Sequence, residues 1–440
     1  MSHLKESIKR VLPEEALRPY AWLLQHYRAI VDKREWQKVL HRTRHEHMVA
    51  LSRLKGKSPI KCVFFALFES VWKYDRVYRL MERSDRFDPI VLVCPIVNYG
   101  KENMIDNMRR CFASLQKKGY NVICSYDEKT DRYLDVRQEL NPDIIFYTSP
   151  YKGLIDDRYY IDQFEDVLTV YVPYFFSSNR DYQLSFNKPL HNLVWRRYLE
   201  SDVHRKIARK CSYNKKNIVV SGFPGIDTFL DPNYRPNDVW KDKSARKKRI
   251  IWAPHHTIEP VGIIYYSCFL KYQDFMLSMA QKYSGSIEMI FKPHPLLRNK
   301  LNALWGEDKT NEYYARWRQG ENTDYNDGEY VDLFLTSDAM IHDSASFTVE
   351  YLYVNKPVLR TLNGEDLTEQ FNQFGLACLK NHYLAYDETE IEAFIQNVIS
   401  GQDPMKESRT SFLKGTLIPH GSPSEFIIDD ILDSIDSQRN

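Results

Sequence analysis

The sequence predicts an α/β protein built as two Rossmann-like domains in series, facing a cleft and preceded by a helical extension. Three observations lead there. Short apolar runs rich in β-branched residues alternate with helical patterns, as a parallel sheet covered on both faces requires. The alternation breaks once, at DPNYRPNDVWKDKSARKKR (231–249), and then restarts. The 440 residues also exceed what one core usually serves, since domains run ~100–200 residues.

Residues 1–57 hold thirteen Lys and Arg from Lys5 to Lys57, with Trp22, Leu23, Leu24, Tyr27, Ile30, Val31, Trp36 and Leu40 interleaved. Pro13, followed by Glu14 and Glu15, reads as a helix start. Aromatic and aliphatic residues beside a basic face suit a helix lying on an anionic membrane. The competing reading packs this extension on the body or on a second subunit, making a homo-oligomer.

Strands are expected at KCVFFAL (61–67), PIVLVCPIV (89–97), NVICSY (121–126), DIIFYTS (143–149), VLTVYVPY (167–174) and NIVVSG (217–222). After the break they are expected at RIIWAPHH (249–256), SIEMIFKPHP (286–295), YVDLFLTS (330–337), AMIHDSAS (339–346) and KPVLRTL (356–362). Helical patterns fall at 262–282, near 346–354, at 389–400 and at 424–437. The predicted division is a basic extension at 1–58, a first domain at 59–230, a linker or surface segment at 231–248, a second domain at 249–400 and a helical tail at 401–440.

The formal net charge of +2 gives no support to nucleic-acid binding. Seven scattered cysteines and no recognisable signal peptide favour a reducing, cytoplasmic compartment. No apolar run approaches the ~20 residues of a membrane span. No glycine-rich fingerprint follows the early strands, which argues against a dinucleotide-dependent redox enzyme.

Open α/β sheets bind ligands outside the carboxyl ends of their strands, and three motifs fall there. In FKPHP (291–295), prolines stiffen the backbone around His294, and Lys292 and His294 share one side of an extended chain. Lysine offsets phosphate charge and histidine donates a hydrogen bond or a proton. In HDSASFTVEY (342–351), Asp343, Ser344 and Ser346 stand at a helix start, where N–H groups and hydroxyls receive a diphosphate. Glu350 lies one turn on, placed to reach the sugar hydroxyls of a nucleotide. WAPHHT (252–257) adds His255 and His256, with no third ligand at helical or hairpin spacing, so no metal site is predicted. HEHM (45–48) is a weak metal candidate in the extension.

With these motifs in hand, residues 59–400 resemble the CDP-glycerol glycerophosphotransferase family of teichoic acid and related polymer enzymes. SGFPGIDTFL (221–230) is similar to that family's glycine–x–proline–arginine–x–aspartate turn, carried by Gly222, Pro224 and Asp227, with Gly225 where the arginine stands. RIIWAPHHT, FKPHP, the 336–351 block and Lys356–Pro357 follow in the family's order. The resemblance implies the two-domain GT-B architecture, with donor on the second domain and acceptor on the first. It implies that Lys292 and His294 contact the donor diphosphate, and that Ser344, Ala345 and Ser346 lie at the phosphate end of the nucleotide. Glu350 would take the ribose, and Gly222 and Pro224 join the donor-binding set.

One departure bears on catalysis. The family's first domain ends a strand in tryptophan–histidine–glycine, the histidine serving as acceptor base; here Tyr171, Val172, Pro173 and Tyr174 stand in its place. Tyrosine, with an ordinary pKa near 10, is a poor base at pH 7. His255, His256 and Asp181 are the candidates to replace it, with His294 as a catalytic proton donor. The expected reaction moves glycerol phosphate from CDP-glycerol to a hydroxyl of an envelope polymer or lipid-linked acceptor, with no tightly bound cofactor, at the inner face of the membrane. Two other readings stand beside it: a GT-B glycosyltransferase using a nucleotide sugar, and a non-catalytic scaffold of envelope assembly.

Overall fold

A computed structural model of the chain describes residues 14–98, 100–180, 182–244, 246–260, 265–328, 330–364, 366–418 and 420–437. Side chains are described from residue 32 onward, apart from Ser70, Gln183 and Leu184. Two parallel sheets form Rossmann-like domains on either side of a cleft, the GT-B arrangement.

The first sheet holds β1 (Ile60–Ala66), β2 (Phe87–Val93), β3 (Val122–Cys124), β6 (Ile144–Tyr147), β7 (Leu168–Tyr171), β8 (Arg196–Leu199) and β9 (Ile218–Val220). Their spatial order is β3-β2-β1-β6-β7-β8-β9, and β4 (Tyr126–Asp127) pairs with β5 (Arg132–Tyr133) in a separate ribbon. In β1 every residue except Lys61 is buried, because helices cover both faces. Strand β8 escapes sequence reading because it begins with two arginines. Arg197 is nonetheless buried, its guanidinium donating to the carbonyls of Ser185 and Phe186 and to the Ser212 hydroxyl.

The second sheet runs β12-β11-β10-β13-β14-β15, from β10 (Lys248–Ala253), β11 (Ile287–Phe291), β12 (Thr323–Tyr325), β13 (Ala339–His342), β14 (Val358–Thr361) and β15 (Tyr383–Ala385). The strand expected over 330–337 is instead helix Val331–Thr336. Tyr330 and Phe334, four residues apart, pack at 4.9 Å, and the adjacent Leu333 and Phe334 are both buried. That pattern fits a helix turned into a core as well as it fits a strand, and periodicity alone cannot separate them.

Three further segments tie to this frame. Helix Glu14–Leu54 lays Leu40, Ala50, Leu51 and Leu54 into the first domain, stacks Trp36 on Tyr213 at 5.1 Å and pairs Arg42 with Glu165. Its C-terminal half therefore follows the packing alternative; Trp22, Leu23, Leu24, Tyr27, Ile30 and Val31 fall where side chains are not described. No described helix is long and apolar enough to cross a membrane. The 231–248 segment docks through fully buried Trp240, whose Nε1 donates to Thr336. Helix Pro423–Asp436 returns to the first domain, burying Ile427, Ile431 and Ile435 in its core and pairing Asp430 with Arg196.

Candidate active site

Strands β11, β10 and β13 are immediate neighbours in the second sheet, so their three carboxyl-end motifs meet at one edge. The ladder continues past the strands: the Lys292 N–H donates to Trp252 O at 2.7 Å, and the His294 N–H to Pro254 O at 2.9 Å. Backbone pairing thus fixes the KPHP and PHH segments against each other. The result is a cluster that neither segment forms alone. His294 lies 5.0 Å from His255 and 4.3 Å from His256, ring centre to ring centre.

The fold therefore supplies the third imidazole that local spacing lacked, and ring nitrogens of His255, His256 and His294 lie within 4.8 Å of one another. By distance alone the trio could hold a transition metal. The hydrogen bonds argue for a different ligand. His294 Nδ1 accepts the Leu296 N–H at 3.1 Å. His255 Nδ1 accepts the Thr257 N–H at 3.3 Å and meets the Thr257 hydroxyl at 2.9 Å, while that hydroxyl oxygen accepts the Tyr266 N–H. In the neutral rings this network leaves the proton on Nε2 of both residues. An Nε2–H donor is matched to an anion oxygen, whereas a metal-bound histidine uses its free lone pair and donates from the other nitrogen.

All three rings are neutral at pH 7. Burial, then His294, His256 and Arg360, lower His255 to about 2. Burial, then His256 and Lys292, lower His294 to about 4. Burial and Lys300 lower His256, whose Nδ1 is buried without a hydrogen-bond partner. Lys292 is buried and its ammonium donates to Gly328 O at 2.7 Å.

On the third strand, Asp343 is buried beneath this cluster, and its carboxylate accepts the N–H groups of His255 and, at 2.7 Å, Cys268. Burial raises its pKa to about 7. Arg360, also buried, donates to Ser344 O and to the Thr348 hydroxyl, both at 2.9 Å, and so sets the 344–348 turn from below. Ser344 and Ala345 lead into Ser346, the N-cap of helix Phe347–Glu350, which passes at once into a 3-10 turn, Tyr351–Val354. Its dipole is accordingly weaker than the longer helix expected there would supply. Glu350 is buried, and burial raises its pKa against the opposing charge of Lys73 and a hydrogen bond with Tyr330.

The glycine–proline turn has a visible packing role. Gly222 adopts φ +87°, and a Cβ there would stand 2.8 Å from Pro423 Cγ. Pro224 opens the buried turn Pro224–Ile226, while Asp227 accepts from the Ser422 hydroxyl at 3.0 Å and the Ser424 N–H at 3.1 Å. These residues seat helix Pro423–Asp436.

In the first domain, Tyr171 and Tyr174 occupy the carboxyl end of β7, and burial pushes both phenols up. The loop that follows crosses to the second domain: Asn372 donates to Ser178 O from its N–H and to Ser177 O from its amide, and Arg180 pairs with Glu369. Asp181 lies outside the described residues. In the extension, His45 is exposed and His47 buried, so HEHM does not converge. Sequence reading missed Asp343 as a strand-to-strand tie, Arg360 inside KPVLRTL, and Lys73, whose only local signal is its place after β1.

Residues 190–400 match the model of the family described as CDP-glycerol:poly(glycerophosphate) glycerophosphotransferase. The chain carries a glycerophosphotransferase-family domain of the GT-B type. That match covers just under half of the chain and assigns an enzyme's domain to residues 190–400. Among solved structures, the wall teichoic acid polymerase TagF with CDPG is similar at TM-score 0.55 and 15% identity, over 94% of this chain and 98% of that one. A UDP-GlcNAc 2-epimerase from Neisseria meningitidis bound to UDP-GlcNAc is similar at TM-score 0.52 and 13% identity, over 85% and 99%. S. aureus MnaA with UDP is similar at 0.53 and 14%, over 87% and 99%. At these identities the structural likeness is one of fold. No curated protein matches the chain.

Proposed function

We propose that the enzyme transfers glycerol phosphate from CDP-glycerol to a hydroxyl of a cell-envelope polymer or lipid-linked acceptor. The observation that carries this reading is the convergence of Lys292, His255, His294 and the 344–346 turn at three adjacent strand ends. Two neutral Nε2–H donors, a buried lysine and the Ala345–Ser346 part of the turn, the Ser344 N–H being bonded to His342 Nδ1, form a preorganised receptor for a diphosphate. Glu350, one turn beyond Ser346, is placed for the ribose. The CMP leaving group departs from this receptor while the acceptor approaches from the first domain. His256, whose Nδ1 has no hydrogen-bond partner, is the first candidate for the acceptor base, and His255 could take that role only by giving up the Nε2–H that serves the diphosphate. Neither Gly222 nor Pro224 is needed for the diphosphate; they enter the donor set by resemblance, through the turn that lines the cleft.

The exposed Lys33 and Arg34 on helix Glu14–Leu54, beside Lys38 and Arg42 that pair with Glu35 and Glu165, support placement at the inner, anionic face of the cell membrane. Oligomerisation through the same helix is the competing use of that surface. The absence of the family's first-domain histidine favours a second reading, a GT-B glycosyltransferase with a nucleotide-sugar donor, whose diphosphate and ribose make the same demands. A product assay with CDP-glycerol and a panel of UDP- and CDP-sugars separates the two. Turnover of CDP-glycerol with release of CMP is the expected result; turnover of a sugar nucleotide alone overturns the first reading in favour of the second.

A further inference from the structure

Lys73 stands in the segment that follows the carboxyl end of β1 in the first sheet, between two aromatics that are themselves tied down. Trp72 Nε1 donates to the Tyr120 hydroxyl at 3.0 Å, and the Tyr74 hydroxyl donates to Tyr147 O at 2.8 Å and accepts the Val172 N–H at 2.9 Å. Both rings are buried in the first core, so the backbone of Lys73 is fixed. Its ammonium is not: among the described residues it makes no hydrogen bond and no ion pair, and it is only partly buried. A lysine whose base is this firmly anchored and whose head is unengaged is positioned for something absent from the resting protein.

A close approach of its stem and an electrostatic coupling of its charge show where Lys73 lies. A Cβ on Gly225 would stand 3.1 Å from Lys73 Cδ, so the stem of Lys73 runs through the space that a side chain at 225 would enter. Gly225 is the position at which the resembled turn carries arginine. Across the cleft, the charge of Lys73 is felt at Glu350, at the end of the short helix that begins at Ser346. The lysine thus belongs to the first domain and lies near Glu350, four residues beyond Ser346 at the end of the turn to which the diphosphate has been assigned.

The charge inventory of the opposite wall gives this a purpose. Lys292 is engaged with Gly328 O, and the three imidazoles are neutral at pH 7. Arg360 is buried behind the turn, bonded to Ser344 O and Thr348. A nucleoside diphosphate brings at least two negative charges into a cleft of low dielectric, where an unmatched charge is costly. Among the described residues, Lys300 is an unengaged cation on the His256 side of the second domain, and Lys73 is the one whose charge reaches Glu350 from the first domain.

We propose that Lys73 binds the diphosphate of the donor from the first domain, supplying across the cleft the cation that Gly225 cannot carry. Resting on the donor reading above, the inference adds that the site is completed by a residue of the opposite domain. Anion binding and approach of the two domains are then one event. The ammonium exchanges the neighbourhood of Glu350 for the phosphate oxygens, and Glu350 is left to the ribose.

The test is calorimetric titration of the full chain with CDP, UDP, inorganic pyrophosphate and cytidine, for the parent, Lys73→Met and Lys73→Arg, each checked for an unchanged melting curve. The expected result is a loss of at least tenfold in CDP and pyrophosphate affinity for Lys73→Met, with Lys73→Arg within about threefold of the parent and no change toward cytidine. In turnover, the donor KM of Lys73→Met rises while the acceptor KM does not. Equal CDP affinity in the parent and Lys73→Met overturns the assignment and leaves the donor reading standing. Failure of the parent itself to bind CDP or UDP removes the donor reading, and this inference with it.

Discussion

The carboxylate of Asp343 accepts the backbone N–H of His255, tying the end of β13 to the end of β10, and takes the N–H of Cys268 with its other oxygen. One buried side chain therefore fixes the loop that carries two of the three clustered histidines and the start of helix Phe269–Lys282. Two N–H donors favour the ionised form, yet burial outweighs them and holds the group near half-protonation at neutral pH.

This placement gives the fold a signed dependence on pH. Asp343 is raised from 3.8 to about 7, so its contribution is full below 3.8 and is lost as pH rises through 7. His255, His294 and His382 are lowered, by burial first, to about 2, 4 and 3; each contribution is full above 6.5 and is lost as pH falls from there. Near pH 5 these four groups leave the unfolded chain binding close to three more protons at histidine and one fewer at Asp343. Their joint contribution to stability thus rises with pH, by roughly 3 kcal/mol per unit at its steepest near pH 5 and by less toward 6.5, and buried neutral His47 adds in the same direction. Thermal melts at pH 5.0, 5.75 and 6.5 should show melting temperature rising steeply, and more steeply still for Asp343→Asn, which removes the opposing group. A flat profile over this range would show that the clustered imidazoles are not buried as neutral rings.

The glycine–proline turn should prove separable from nucleotide binding. Gly222→Ala meets both a left-handed backbone and a proline ring 2.8 Å away, a cost of about 2–4 kcal/mol. Asp227→Ala strands the Ser424 N–H, at ~1–3 kcal/mol. Both variants should melt earlier while binding CDP with parental affinity at low temperature. A loss of CDP affinity with an unchanged melt would instead put this turn in direct contact with the donor.

Chelation should leave turnover unchanged. The Nδ1 atoms of His255 and His294 already accept N–H groups, so each neutral ring offers a proton rather than a lone pair to the space they share. Activity after exhaustive EDTA dialysis is expected to equal that before it. Loss of turnover restored by Zn²⁺ would mean that the cluster rearranges its tautomers around a cation.

The legible part of this molecule was what lies along single strands. FKPHP and HDSAS announce themselves through proline, serine and acid at strand ends, and the two-sheet plan through its alternating apolar runs. The histidine trio was not legible, because His294 and the His255–His256 pair meet only through the pairing of β11 with β10. Arg360 and Arg197 were hidden for a related reason: a buried arginine satisfied by backbone carbonyls looks in sequence like a surface charge. Helix Val331–Thr336 was misread as a strand because a six-residue apolar run carries both periods. Lys73 gave no signal beyond its place after β1, since its meaning depends on its nearness to Gly225 and Glu350 in the fold.

Of the residues able to activate the acceptor, His256 has the best standing. Tyr171 and Tyr174 are pushed further from neutrality by burial, so their phenols stay protonated at pH 7. His255 and His294 have their Nδ1 atoms occupied and present protons on Nε2. His256 is the least buried of the three, and its ring is held by no hydrogen bond to another residue among those described. Its lowered pKa keeps it neutral, so the ring nitrogen that carries no proton can take one from an incoming hydroxyl. His256→Ala should therefore cut turnover by ~10²–10⁴ while CDP affinity stays within about threefold. His294→Ala should weaken CDP binding as well, and Tyr171→Phe and Tyr174→Phe should leave turnover within about threefold. The logarithm of kcat should fall below an inflection that disappears in His256→Ala. Parental turnover in His256→Ala would transfer the role to His255 or to Asp181, and alanine variants at those two positions, read for turnover against CDP affinity, decide between them.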